Sequence, residues 1–281
     1  MGRNRWNTPL LRRLGVFLLI AFLGFLTGCG VGENPAESSK EVASDPVVLV
    51  ESGKLIVGTS ADYPPYEFRL PNDDEGRIVG LDMDIAQDIA DALNVRLEVR
   101  DILFSQLFTH LESGDVDMII AGLTPTEARR KVADFSEIYY QAFQAVLIRR
   151  ADGEKIKSIG DLRGKKVGVQ QNSIQQDMAR TLIVGAEFVP GETIHGMVET
   201  LEKGEVDALV LEKPVAEAFQ ARSDKFMSIE EGVDANMIGS AIAVHKGNGP
   251  LLEEINRIIR RLKQQNRIIG YVEDAKVLSN K

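Results

Sequence analysis

The stretch Thr124-Pro125-Thr126-Glu127, with Arg129, Arg130 and Lys131 close behind, holds residue types suited to gripping an anion. Thr124 suits a helix N-cap, Pro125 the first helical position, and Glu127 completes a capping box. A helix begun there turns free N–H groups and the positive end of its dipole outward, and such ends bind anions. Basic residues at a helix start oppose that dipole, so at least one should serve another purpose. A planar guanidinium forking onto a carboxylate is such a purpose; by spacing alone Arg129 either serves it or is a solvated surface charge, while Arg130 and Lys131 read as solvated surface charges. A second capping box, Ser173 with Gln176, lies in Asn172-Ser-Ile-Gln-Gln176. Glu212 follows a hydrophobic run just before Pro214. There it either faces a cleft or decorates the start of a helix, where acids are favoured. An acid opposite an Arg and a helix N-terminus would suit a zwitterion, one end for –COO⁻ and one for –NH₃⁺. His110, His195 and His245 show no triad or metal-ligand spacing. A single cysteine excludes a disulfide framework or a cysteine metal site.

These residues need elements to bring them together, and a repeat suggests which. Leu111-Glu-Ser-Gly-Asp-Val-Asp117 returns as Leu201-Glu-Lys-Gly-Glu-Val-Asp207, each time followed by an apolar strand and a helix start. Two similar α/β lobes are implied, and open α/β sheets bind ligands at the carboxyl ends of their strands. Strands are expected at 54–58, 96–100, 116–120, 166–169, 187–189 and 206–211. Helices are expected from an Asp82 N-cap through Leu93, and at 105–112, 173–182, 194–202 and 250–264. Leu251, Ile255, Ile258, Ile259 and Leu262 form the buried face of the last. Extended segments 142–148 and 238–244 read as two crossovers, which make a hinge. The expected class is thus α/β and two-lobed, each lobe a mostly parallel sheet flanked by helices. Lobe 1 comprises 48–143 and 243–281, and lobe 2 comprises 144–242.

The start of the chain carries an address. Four arginines precede an apolar run from Leu14 to Leu26, and Leu26-Thr-Gly-Cys29 closes it. Thirteen apolar residues suit a signal peptide better than a membrane span of about 20. The ending resembles the bacterial lipobox, which makes 1–28 the leader, Cys29 the lipidated amino terminus and 29–47 a flexible tether. Four of the 33 basic residues precede Cys29 and none of the 42 acidic ones does, so removal leaves 29 against 42, net −13. Nucleic acid, which needs basic patches, is not an expected partner.

A wider resemblance rests on motifs in family order: Gly58-Thr-Ser-Ala-Asp-Tyr-Pro-Pro-Tyr-Glu-Phe68, Gly80-Leu-Asp-Met-Asp84, Ala121-Gly-Leu-Thr-Pro-Thr-Glu-Ala-Arg129, Asp134-Phe-Ser136 with Tyr139-Tyr140, and Lys166-Val-Gly-Val169. Together they resemble family 3 of the bacterial extracellular solute-binding proteins, the polar amino-acid receptors of ABC importers, which have the type II periplasmic-binding-protein fold. The resemblance implies that Arg129 grips the ligand α-carboxylate with help from Thr124. It implies that Ala121 and Gly122 offer carbonyls, and that Glu212 takes the α-amine. It also implies that Tyr63 and Phe104 sandwich the side chain, and that the loop Gln171, Ser173 and Ile174 closes over the carboxylate. Ser60 stands where receptors for basic amino acids often carry Asp, which leaves Glu67 or Asp62 to meet a distal cation. Asn172 stands where Gly is common. The implied function is capture of a polar amino acid, cationic (arginine or lysine) or amide, and its delivery to a membrane permease with its ATPase. The expected protein is a monomer outside the cytoplasm, held to a bilayer through Cys29, without cofactor or metal. A dehydratase on the same scaffold, with Glu212 as general acid, is the enzymatic alternative. A receptor's sensing domain is a third reading, disfavoured because no further membrane span follows.

Overall fold

Leu55, Ile56 and Val57 form an unbroken buried run, the pattern of a strand covered on both faces. The computed structural model describes residues 46–230, 232–233 and 237–280, and the leader, Cys29 and most of the tether lie outside them. The first strand, β1 (Lys54–Thr59), enters a turn-rich segment that makes β2 (Asp62–Tyr63), β3 (Glu67–Arg69) and β4 (Ile78–Val79), a small antiparallel sheet. Then come α1 (Leu81–Ala92), β5 (Arg96–Asp101), α2 (Leu107–Glu112), β6 (Met118–Ile119), α3 (Glu127–Arg130), β7 (Ala133–Phe135) and β8 (Tyr140–Ala142). The second lobe holds β9 (Gln144–Arg149), β10 (Lys166–Gln170), α4 (Ile174–Leu182), β11 (Glu187–Gly191), α5 (Ile194–Lys203), β12 (Ala208–Glu212), α6 (Lys213–Arg222) and β13 (Phe226–Ile229). The chain returns through β14 (Ile238–Ser240) to β15 (Ala243–His245), α7 (Gly249–Gln264) and α8 (Arg267–Ser279).

Both five-stranded sheets follow one plan. Lobe 1 runs β5-β1-β6-β15-β7 and lobe 2 runs β11-β10-β12-β9-β13. The first three strands of each are parallel, and the fourth is antiparallel to both its neighbours. That fourth strand is the one arriving from the other lobe: β9 enters lobe 2, β15 re-enters lobe 1. The expected crossovers at 142–148 and 238–244 are therefore shorter than the extended segments. Only β8 and β14 cross, paired antiparallel from Tyr140–Ser240 to Ala142–Ile238. The remainder of each segment is core strand.

The sequence repeat occupies matching places. Gly114 and Gly204 both adopt left-handed backbone (φ 76° and 79°) at the ends of α2 and α5, the conformation that stops a helix without strain on a side chain. The repeated Asp117 and Asp207 then cap the entrance of the neighbouring strand. Asp117 accepts from Ile56 N at 2.7 Å, and Asp207 from Lys166 N at 2.9 Å.

Three local expectations were wrong. Asp82 is not the N-cap of α1. Gly80 holds that place at φ 128°, where a Cβ would lie 2.3 Å from the Tyr66 carbonyl, and Asp82 is wholly buried in the first turn. Thr124 is not the N-cap of its helix either. Thr126 is, accepting from Arg129 N at 3.2 Å, and α3 is a single turn. The dipole argument for Arg129 therefore fails, since it lies in the last turn of that helix. The Ser173 cap of α4 is present, but Gln176 reaches back to Asn172 N at 3.3 Å rather than to Ser173. The predicted face of α7 is buried at all five positions. Beyond it lies a helix that was not expected, α8, which packs on α1 and reaches α6, where Arg222 Nε donates to the Ser279 carbonyl. Among the described residues no helix is long and apolar enough to cross a membrane.

Candidate functional site

The carboxyl ends of β1, β6, β10 and β12 face one another across a cleft between the lobes. A narrow cavity lies there, lined from lobe 1 by Ser60, Asp62, Tyr63, Glu67, Phe104, Ala121, Gly122, Thr124 and Arg129 and from lobe 2 by Gln170, Ile174 and Gln175. Among the described residues four hydrogen bonds cross the cleft. Tyr66 donates its hydroxyl to Glu212, Tyr63 accepts from Glu212 N at 3.3 Å, Arg129 Nη2 donates to the Asn172 carbonyl at 3.0 Å, and Asp62 accepts from Ile194 N at 2.6 Å.

One end of the cavity is positive. Arg129 lies with its guanidinium carbon 5.5 Å from the Phe104 ring centre and 5.7 Å from that of Phe108, and Nη1 donates to the Thr124 carbonyl at 2.9 Å. Burial pulls its pKa down to about 10, so it is still cationic at neutral pH. Among the described residues no carboxylate bonds to it, although Asp177 supports its charge at longer range. Beside it the Thr124 hydroxyl is buried with no hydrogen-bond partner. A guanidinium with spare donors and an unsatisfied hydroxyl at one spot are what a ligand carboxylate requires.

The other end is acidic to an unusual degree. Glu67, Asp82 and Glu212 are all about 99–100% buried, and Asp62 stands at the edge. Tyr139 donates to Asp82 at 2.8 Å and the Gly122 amide does so at 2.9 Å. Glu67 lies near enough to Asp82 to share a proton with it, while its Oε2 has no partner. Burial pushes Asp82 and Asp62 up to about 6 and Glu212 to about 8, with neighbouring acids adding to the first cause for Asp62 and Glu212. Glu67 is raised well above the usual carboxylate range by burial first and by Asp82 second. Among the described lining residues Arg129 is the one basic side chain. Four carboxyl groups thus share a site with a single guanidinium. Among the described residues no three His, Cys, Asp or Glu side chains are grouped to hold a metal ion.

Of the twelve residues nominated from the sequence, nine line this cavity. Gln171 does not: it is exposed, its amide spent on the Gly191 carbonyl at 2.9 Å, and Gln170 takes the place facing the cleft. Ser173 is buried but its hydroxyl is occupied, donating to the Gln170 carbonyl and accepting from Gln176 N. Glu212 lies one layer below the lining, behind Tyr63 and Tyr66, whose rings stack 5.5 Å apart. Gln175 was missed, as were Asp82 and Tyr66. Gln170 was legible as the last residue of an apolar strand, the same logic that found Glu212. Tyr66 and Asp82 stand inside motifs already quoted, but nothing in their spacing showed that they would point inward. His110 does meet an acid, Asp115, at 3.0 Å, and Ser113 shares that carboxylate. Ser113 Oγ donates to Asp115 and not to the imidazole, in an exposed turn, so no nucleophile is being activated.

Two lobes of this strand order, joined by a paired double crossover and closing on a cleft with a cationic and an acidic end, define a solute receptor of the type II binding-protein class. The chain belongs to the bacterial extracellular solute-binding proteins, family 3, whose pattern it matches over residues 55–269. It is 33% identical over 258 residues to the arginine-binding extracellular protein ArtP of Bacillus subtilis, covering 90% of this chain and 93% of that one. It is 29% identical over 247 residues to the ABC transporter glutamine-binding protein GlnH of the same organism, covering 86% and 88%. Among solved structures, an amino-acid ABC transporter substrate-binding protein, AbpA of Streptococcus pneumoniae, bound to L-arginine, superposes with a TM-score of 0.78 at 32% identity, covering 82% of this chain and 97% of that one. By this kinship the protein is a substrate-binding protein for polar amino acids and not an enzyme.

Proposed function

We propose that this protein captures a cationic amino acid, arginine before lysine, and presents it to the permease of an ABC importer. The observation that carries the choice is Glu67: buried, on the cavity wall, with one carboxylate oxygen unpartnered amid acids that no protein cation neutralises. Burying such a group costs several kcal/mol on the order of a lost charge-assisted bond unless a cation arrives. A guanidinium would supply it, with two parallel N–H donors for a carboxylate. In this reading Arg129 and Thr124, at the cationic end of the cleft, take the α-carboxylate, and Glu212 with Asp82 supplies negative charge for the α-amine. Tyr63 offers a flat face for the aliphatic stem, while Phe104 also supports Arg129. The names of ArtP and of the arginine-bound AbpA agree with this reading. Binding needs no chemistry, only a closed form stabilised more by one ligand than by others.

The same proposal places the protein outside the cytoplasm, as a monomer tethered through acylated Cys29. Several acyl chains on one residue would hold it stably, which one would not. A thermal-shift panel of the twenty amino acids tests the ligand. At 100 times its dissociation constant a ligand stabilises by about 2.7 kcal/mol. Arginine should give the largest shift, with lysine next. A shift led by glutamine, glutamate or a branched aliphatic would remove the cationic assignment.

A further inference from the structure

Asp62 sits on β2 in lobe 1, yet its carboxylate is used by lobe 2. Its Oδ2 accepts from Ile194 N at 2.6 Å, and the His195 amide lies close enough to favour the ionised form of the same carboxyl. Ile194 opens α5, a ten-residue helix whose own N-cap, Thr193, takes the amide of Gly196 at 3.2 Å. The first amides of a helix have no partner inside it, and an acid there also meets the positive end of the dipole. The N-terminus of α5 is therefore capped twice, once by its own loop and once from across the cleft. The small sheet that carries Asp62 touches lobe 2 at a further point: Phe68, its register partner on β3, lies 5.8 Å from the Arg222 guanidinium at the end of α6. The other bonds across the cleft, from Tyr63, Tyr66 and Arg129, use side chains that the ligand site also claims. Asp62 also lines the edge of the cavity, but its Oδ2 is taken up by a backbone amide of the opposite lobe.

We propose that Asp62 is a positioning residue, an interlobe latch that caps α5 only when the lobes close and so sets how long any ligand stays bound, without reading which ligand it is. Opening the cleft would strip α5 of its second cap, so the capping energy belongs to the closed form alone. The bond needs an acceptor oxygen rather than a charge, and a carboxamide offers one without the cost of burying an ion. Asp62→Asn should therefore preserve the latch, while Asp62→Ala should release it. The inference rests on closure of the lobes, which the family fold supplies, and not on the choice of arginine.

Dissociation of labelled arginine and labelled glutamine from the full chain, followed after dilution, tests this. For Asp62→Ala the off-rate should rise about tenfold for both ligands, the scale of a lost helix cap, with on-rates within about twofold. With glutamine, which needs no charge from the acidic end, Asp62→Asn should stay within about threefold of the parent. In the ligand-free protein, spin labels at Gln87→Cys and Glu205→Cys, in a Cys29→Ser background, should report a longer mean separation for Asp62→Ala than for the parent. A loss confined to arginine would make Asp62 a ligand contact and overturn the latch. Equal damage from both variants, or unchanged off-rates with unchanged separation, would overturn it as well. If neither amino acid binds, the specificity reading falls, and the spin-label separation alone decides the latch.

Discussion

Replacing Arg129 by alanine is the sharpest perturbation of the ligand carboxylate site. A guanidinium carries about five N–H donors, and the protein uses Nη1 on the Thr124 carbonyl and Nη2 on the Asn172 carbonyl. The donors that are left can form two bonds to a carboxylate, each worth about 1.5–3 kcal/mol when charge-assisted. Their joint loss, about 3–6 kcal/mol, weakens binding by at least about a hundredfold at roughly 1.4 kcal/mol per factor of ten. The fold should survive. What the protein itself loses is packing on Phe104 and Phe108, roughly 0.5–1 kcal/mol per exposed cation–π contact, and two bonds to backbone carbonyls at the rim. Arg129→Lys keeps the charge without the fork and should fall between the parent and Arg129→Ala. Titration calorimetry with each candidate amino acid, beside a melting curve by circular dichroism, separates binding from folding. Near-parental affinity in Arg129→Ala would remove this side chain from the site and refute the reasoning. So would a collapse of the melt, which would show the arginine to be structural.

Gly80→Ala should destabilise the protein by at least about 2 kcal/mol in chemical denaturation, because a side chain at φ 128° meets the Tyr66 carbonyl at 2.3 Å; a change below about 0.5 kcal/mol would mean the turn relaxes freely. The pH dependence has a definite sign. Asp62 and Asp82 titrate near 6 in the fold against 3.8 for the ordinary side chain, so between those values the folded protein holds more protons than the unfolded one. Stability in the absence of ligand should therefore decline as pH rises from about 4 to 6, and on to about 8 through Glu212. A cationic ligand favours ionised acids, so arginine affinity should move the opposite way, strengthening from pH 5 to pH 8. Melting curves with and without arginine across that range check both; a stabilisation by arginine that grows toward acid would contradict the account.

Much of the fold was legible because its signals are local and periodic. The apolar face of α7 follows from residue spacing alone, and the paired Leu-Glu-x-Gly-x-Val-Asp segments announced two lobes of one plan. The failures have identifiable causes. Thr124 and Thr126 are both good caps two residues apart, and only the backbone decides between them. An acid in a first helical turn resembles a cap, but Gly80 can adopt a backbone conformation closed to other residues and leaves Asp82 free to face inward. Glu67 was named because Ser60 stands where the resemblance calls for an acid, yet its burial beside Asp82 and Glu212 depends on partners 15 and 145 residues away, which no local pattern carries. Asp62 is a similar case, since its partner amide lies 132 residues along the chain. Position in a strand or helix could be read from the sequence; the direction of a polar side chain in a cleft could not.

The central claim is that a buried Glu67, with one carboxylate oxygen unpartnered, is there to meet a ligand cation. Calorimetric titration of Glu67→Gln with arginine and with glutamine, side by side at pH 7.5, tests it most directly. The glutamine side chain keeps the shape and an acceptor oxygen but removes the charge. Arginine affinity should fall by tenfold or more, on the order of 1.4 kcal/mol, while glutamine affinity changes by less than about threefold. Equal losses for both ligands, or no loss for either, would mean that Glu67 does not meet the side-chain cation, and the assignment of a cationic substrate would lose the residue it stands on.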